Sequence, residues 1–363
     1  MVDGTRWDSA YHAPVLAAEI VRLLAADSPD DPAARQSTPA RRVVLDGTLG
    51  GGGHSLALLE AGFDVVGVDR DPVAIAAATE RLARFVGEGR FRAVLANYAD
   101  VDSVPQLADA RFHGIVLDLG ISSRQIDDVA RGFSFREGAP LDMRMGTDAP
   151  MDAAAFLNES PQHEIMRVFR EYADEPRASR LAREVVRRRA TRPFATSDDL
   201  VGAIRGALGP RSGSSDFARL FQAVRIAVND ELAGLERALP VLRDRLEPAG
   251  RIAIISYHSG EDRIVKHSFR EWSTGCVCPP RQPVCTCGEL PLGRLVTRRA
   301  VTASPPEISR NPRARSARLR VWQRAARRAA AATRAARAAP GDACADAPSS
   351  RSRCSASCSS RRA

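Results

Sequence analysis

Within "LDGTLGGGGHS" at 45–55, four consecutive glycines run into a histidine, leaving bare main chain against which a ligand can lie. The apolar run Val43-Val44-Leu45 precedes the loop and a helical pattern through Leu56, Leu58 and Leu59 follows it. The loop therefore joins a strand to a helix whose first N–H groups are free to meet a polar ligand. Three ligand classes use such a loop: a nucleotide phosphate, a dinucleotide pyrophosphate and S-adenosylmethionine. A phosphate-cradling loop ends in Gly-Lys-Ser/Thr, whereas these glycines run into His54-Ser55. The dinucleotide fingerprint fits Gly50 and Gly52 but meets Ser55 where its third glycine belongs.

Asp69, closing the second strand, is placed to accept hydrogen bonds from both ribose hydroxyls of NAD or of S-adenosylmethionine. Asp46 discriminates better: beside a pyrophosphate it would be repulsive, beside the cationic methionyl portion it is tolerable. Asp118, ending "GIVLDLG", falls at the C-terminal edge of the sheet, where open α/β folds bind ligands. The competing readings are a glycine turn needed only for strand–helix packing and an aspartate serving only as a cap. Cys276, Cys278, Cys285 and Cys287 form a C-x-C-x6-C-x-C cluster. Structural zinc sites space paired cysteines by two to four residues, so reduced loop cysteines or a redox-sensitive pair come before zinc, and no metal is expected.

From 43 to about 120, Val/Ile/Leu runs alternate with helical segments: VVLD, a helix over 54–61, DVVGVD, a helix over 72–86, FRAVLAN, a short helix, GIVLDLG. That pattern predicts a parallel sheet with helices on both faces. From 124 to 240 there is helical patterning only; strand character returns at 251–257, 295–302 and 318–322. The reading is one α/β domain (1–123 and 241–323) interrupted by a helical insertion (124–240), with an Ala/Arg/Ser-rich tail at 324–363 expected to be disordered.

The net charge of +9 comes largely from residues 311–363, whose thirteen arginines and two aspartates leave the first 310 residues at −2. Lys266 is the only lysine, so the arginine content reflects a coding bias more than a need for guanidinium chemistry. No apolar run approaches the ~20 residues of a membrane span, and the N-terminus has no secretory pattern. A cytoplasmic protein without membrane partners is expected.

"HAPVL" (12–16), "DGTLGGGGHS" (46–55), "VDRDP" (68–72), "LDLGISSRQIDD" (117–128), "RGFSF" (131–135), "PLDMRM" (140–145), "FQAVRIAVNDEL" (221–232) and "ISYHSGEDRIVK" (255–266) together resemble the bacterial MraW/RsmH family. The resemblance spans about residues 10–323. It implies a Rossmann-like class I S-adenosylmethionine methyltransferase sheet and methylation of N4 of a decoding-centre cytosine in 16S rRNA. It also implies cofactor contacts from Gly51, Gly52, Gly53, His54, Asp69, Tyr98, Asp118 and Gln125. The partner is then the rRNA or small ribosomal subunit, while the oligomeric state, a homodimer included, stays open.

Cytosine N4 is a poor nucleophile, because its lone pair is delocalised into the ring. Asp118 is the first candidate to accept an amino hydrogen and free that lone pair, with the main chain after it second. His258 is a candidate proton acceptor, a structural histidine being the stronger reading. Asp142 and Arg144 could pair internally or read a base edge, and Phe133 and Phe135 could stack a base or anchor the core. Arg187, Arg188 and Arg189, in "RLAREVVRRRATR", are candidate phosphate contacts, against a solvated helix face. The competing functions are an NAD-dependent oxidoreductase on the same sheet and a noncatalytic RNA-binding assembly factor.

Overall fold

The computed structural model describes residues 7–8, 14–26, 42–275 and 289–326, together with 278, 279, 282, 286 and 287. The tail at 327–363 lies outside the described residues, as does the whole of the long loop at 27–41. Chain order begins with α1 (Ala17–Ala25), β1 (Val43–Asp46), α2 (Gly53–Glu60), β2 (Asp64–Asp69), α3 (Pro72–Arg81) and α4 (Ala83–Gly87). It continues through β3 (Phe91–Leu95), β4 (Phe112–Asp118) and α5 (Ser123–Asp127). A helical segment follows: α6 (Ala153–Glu159), α7 (Gln162–Ala173), α8 (Ala178–Arg189), α9 (Ser197–Leu208), α10 (Ser214–Asn229) and α11 (Glu231–Asp244). The chain then returns to the sheet with β5 (Leu246–Ser256), α12 (Ser259–Trp272), β6 (Gly293–Leu295), α13 (Pro305–Arg310) and β7 (Arg318–Arg324).

Among the described residues the strands form one seven-stranded sheet in the order β3-β2-β1-β4-β5-β7-β6. The first five strands pair in parallel and β7 runs antiparallel to both neighbours, completing the expected Rossmann-like α/β fold. The continuous apolar runs follow from burial on both faces. Val44, Val65, Val116, Ala253 and Ile255 pack on one side. Leu45, Val66, Ile115, Leu117, Ile252 and Ile254 pack on the other. The helices from α6 to α10 carry their own core, including Phe156, Phe169, Leu181 and Leu220.

Three boundaries differ from the sequence reading. The helix expected over 72–86 breaks at Leu82 (φ −101°, ψ 17°), and the short helix before β4 is two 3₁₀ turns, 98–103 and 105–107. The strand expected at 295–302 shrinks to β6 plus a single bridge, Val301 to Leu319. Strand propensity marks where a chain can extend; it does not say where a partner strand stops.

The reversed strand is anchored by Trp322, which is fully buried and packs edge-on to Trp272 at 5.2 Å. Its indole N–H donates to Ser273 Oγ at 3.1 Å. Trp322→Ala should therefore cost about 3–5 kcal/mol in a urea melt. A loss below about 1 kcal/mol would show that β7 does not complete the core.

Candidate functional site

Parallel pairing brings the ends of β1, β2, β4 and β5 to one edge of the sheet, and a cleft opens there. Thr48, Gly50, Gly51, Gly53 and His54 line it from the glycine loop, Asp69 and Arg70 from β2, and Asn97 and Tyr98 from beyond β3. Asp118, Gly120, Ser122 and Gln125 line it from β4 and α5, and Glu231 and Tyr257 from the other side.

The loop is shaped by its acids. Gly50, at φ +50°, donates its N–H to Asp69 Oδ2 at 2.7 Å, and the Asp71 N–H donates to Oδ1 at 2.9 Å. Both Asp69 oxygens are thus fixed by main chain, with lone pairs left for the cleft. A Cβ at Gly50 would meet only the Thr48 carbonyl, at 4.0 Å, so the loop leaves open space there. Gly52 departs from expectation: at φ +74° it turns toward α3, where a Cβ would stand 3.1 Å from Leu82, and it does not line the cleft. Asp46 is also not beside the ligand space. It is buried, accepting from Ser55 Oγ at 2.7 Å and from the Thr48 N–H at 3.3 Å, and burial raises its pKa. It staples the loop internally.

Asp118 is the centre of the cleft. Its N–H donates to Thr48 Oγ1 at 2.6 Å, its Oδ1 accepts from the Tyr257 hydroxyl at 2.8 Å, and its Oδ2 lies 3.8 Å from His54 Nδ1. His54 Nε2 is bonded to the Val15 carbonyl at 2.9 Å, which fixes the ring. Burial first, and then the Asp118 carboxylate, raise Tyr257 well above the usual phenol range, so it stays a donor. Sequence reasoning missed Tyr257. Its only signal was its place immediately after an apolar strand, where the neighbouring His258 drew attention instead.

His258 is not brought into this cleft. It begins α12 and lines a second cavity with Glu171, Arg219 and Arg263, its Nε2 3.2 Å from Glu261 Oε1. Successive residues in extended chain point to opposite sides, so Tyr257 faces the cleft and His258 faces away from it.

Gln125 reaches the cleft through a capping box: the Ser122 N–H donates to its Oε1 at 3.0 Å, and its Nε2 donates to Asp71 Oδ2 at 3.3 Å. The same Asp71 oxygen accepts from Arg131 at 2.8 Å, and Arg131 also donates to the carbonyls of Arg144 and Met145. Buried Asn229 completes the frame, donating to the Met143 carbonyl at 2.7 Å and accepting from the Met145 N–H at 2.8 Å. The motifs at 68–72, 117–128, 131–135, 140–145 and 221–232 thereby become one hydrogen-bonded rim.

The remaining candidates resolve as follows. Asp142 and Arg144 form a two-point ion pair at 2.9 and 2.8 Å. Phe135 is partly exposed and packs edge-on to Phe217 and Phe221, while the Arg131 guanidinium lies over the Phe133 ring. Arg189 is turned inward and donates to the Leu157 and Ser160 carbonyls, which have no helical partner at the end of α6. Arg187 and Arg188 both bind Glu184, at 2.6 and 2.7 Å, and the Arg187 hydrogen bond helps to lower Glu184 to about 2. The three arginines are therefore not a free phosphate-binding face. Cys276 and Cys285 lie outside the described residues, and no group of three metal-binding side chains occurs among the described ones. None of the described helices is long and apolar enough to cross a membrane.

The family model described as the MraW methylase family matches residues 9–325. A protein of Gemmatimonas aurantiaca named ribosomal RNA small subunit methyltransferase H is 62% identical over 315 residues, covering 87% of this chain and 96% of that protein. Proteins of the same name from Heliobacterium mobile (44% identity, 86% of this chain and 99% of that one) and an Anaeromyxobacter species (46%, 86% and 97%) are similar along nearly their whole lengths.

Burial raises the Asp69 carboxyl from 3.8 to about 6. The folded value lies above the unfolded one, so the ionised form is the disfavoured one in the free protein. A ligand that donates hydroxyl hydrogens to this carboxylate needs it ionised. Its affinity should be level above about pH 7 and weaken roughly tenfold per unit below the folded pKa. Calorimetric titration across this range checks it. A flat profile would remove Asp69 from ligand binding.

Proposed function

The chain belongs to the MraW methylase family, and we propose that it transfers the methyl group of S-adenosylmethionine to N4 of a decoding-centre cytosine, position 1402 of 16S rRNA. Bound in the cleft, S-adenosylmethionine supplies an electrophilic methyl group on a sulfonium. The residues present suit it. The bare main chain of Gly50 and Gly51 gives room, Asp69 offers ribose-accepting lone pairs, and the acidic lining suits a cationic ligand. Within that lining Arg225 neutralises Glu231, while Arg70 and Arg237 are occupied by Asp148 and Asp230. The carboxylates of Asp69, Asp118 and Glu261 also line the cleft.

The observation that carries the reading is the fixed carboxylate of Asp118. With Oδ1 held by Tyr257 and Oδ2 facing His54 Nδ1 at 3.8 Å, the group keeps one orientation, and this carboxylate is the one we assign to accept an amino hydrogen. Accepting that hydrogen favours a pyramidal N4 with its lone pair free. The rest of the rate comes from holding the two reactants in line. Family membership sets aside the NAD-dependent oxidoreductase. The noncatalytic assembly factor is separated by a methyl-transfer assay on rRNA and by nucleoside analysis of rRNA from cells lacking the protein. We take residues 124–240 as the substrate-facing insertion, the rRNA of the small subunit as partner and the cytoplasm as its place of work.

Asp118→Asn keeps the shape and one acceptor but removes the charge. Single-turnover rates at saturating cofactor and rRNA should fall by about 10²–10³. Tyr257→Phe leaves the charge and frees its orientation, for a smaller loss of about three- to tenfold. Normal rates in the Asn variant would eliminate Asp118 as the amino acceptor.

A further inference from the structure

Between 294 and 324 the chain carries nine arginines and one glutamate, and that glutamate, Glu307, is engaged in accepting the Leu16 N–H at 2.7 Å. This is folded chain, so part of the positive charge assigned to the tail on composition belongs to the body of the protein. Some of these arginines have structural tasks. Arg320 makes a two-point bond to Asp262 at 2.7 and 3.1 Å, Arg313 pairs with Asp127 of α5 at 3.3 Å, and Arg310 lies 3.6 Å from Asp8. Arg298, Arg299, Arg315 and Arg318 are exposed, and no carboxylate pairs with them among the described residues.

Their position follows from strand register. In the antiparallel ladder Arg318 sits opposite Ser256, the last residue of β5, and the next residue is Tyr257, whose hydroxyl holds Asp118. Arg315 lies in the 3₁₀ turn leading into β7, beside the Arg313–Asp127 pair that fastens this turn to the helix bearing Gln125. Arg298 and Arg299 lie on the turn closed against β7 by the Val296 and Val301 main-chain bonds. Register thus puts Arg315 and Arg318 at the end of β5 where the cleft opens and Arg298 and Arg299 on the turn flanking β7, on backbone anchored by the buried Leu319, Val321 and Trp322. The arginines of α8 contrast with them on both counts, being already bonded and carried by a helix that packs into the separate helical core through Leu181, Ala182 and Val185.

We propose that the edge formed by Arg298, Arg299, Arg315 and Arg318 is the surface on which the sugar-phosphate backbone of the RNA substrate lies as its target base enters the cleft. The proposal rests on the rRNA reading above and adds the residues that would hold the strand. Unpaired, exposed guanidinium groups match phosphate oxygens geometrically, and a contact on a fixed strand costs less ordering than one on a mobile loop.

The test compares Arg315→Ala/Arg318→Ala with Arg187→Ala/Arg188→Ala, using transcribed 16S rRNA and measuring Kd over a range of salt. Thermal melts and the affinity for S-adenosylmethionine are measured in parallel. The first pair should weaken binding and flatten the dependence of log Kd on log salt by about 1.5, corresponding to two lost phosphate contacts. Its melting temperature and cofactor affinity should match wild type, the α8 pair should leave the slope unchanged, and Arg315→Lys/Arg318→Lys should restore most of it. A wild-type protein that binds rRNA, with a slope unaltered in the Arg315/Arg318 variant, overturns the surface assignment alone. A wild-type protein with no salt-dependent rRNA affinity overturns the rRNA reading and this surface with it.

Discussion

The hydrogen bond from the Tyr257 hydroxyl to Asp118 is the contact around which the cleft is organised. Asp118 also donates its main-chain N–H to Thr48 and faces His54, so one residue joins the ends of β4 and β5 to the glycine loop. A carboxylate taken this far out of water is tolerated only with its acceptor capacity used. A phenol held well above its ordinary pKa is a dependable donor, because no physiological pH removes its proton. The orientation of Asp118 is therefore a property of the fold and precedes any ligand.

A second layer keeps that first one in place. Asp71 caps α3 through its Oδ1 and receives Gln125 and Arg131 on Oδ2, while Asn229, at the end of α10, holds the turn at 143–145. Met143 has φ +59°, a strained value for a side-chain-bearing residue, and the Asn229 bonds to its carbonyl and to the Met145 N–H sustain that strain. The helical segment is consequently tied to the sheet in two ways: by these polar groups at the rim of the cleft, and by α11, whose Leu235, Ala238, Leu239 and Leu242 pack into the core on one face of the sheet.

Most of this was legible in the sequence wherever the signal was local. Alternating apolar runs showed the parallel strands, and strand ends located Asp69 and Asp118. Side-chain direction was not legible. Gly52 and His258 sit within one residue of groups that line the cleft, yet both turn away, because a one-residue step in extended or turning chain reverses the outlook of a side chain. The arginines of α8 misled for a related reason: composition reveals charge but not whether a carbonyl or carboxylate lies within reach. The charge at 313–318 was likewise credited to a tail, since nothing in the arginine count shows that Leu319, Val321 and Trp322 bury the intervening positions.

The antiparallel strand has a further consequence, for how the chain comes to be folded. β5 runs between β4 and β7, and the partner on its second side is about sixty residues later in the sequence. Until residues 318–324 arrive, the stretch Ile252-Ala253-Ile254-Ile255 presents an unpaired row of N–H and C=O groups flanked by aliphatic side chains. Such an edge recruits foreign strands readily, and non-local pairing is the slow part of folding. A chain interrupted before β7 would thus retain the glycine loop, Asp69, Asp118 and Tyr257 and still be prone to aggregate. Solubility of this fold is decided at its last strand, far in sequence from the cleft that the strand flanks.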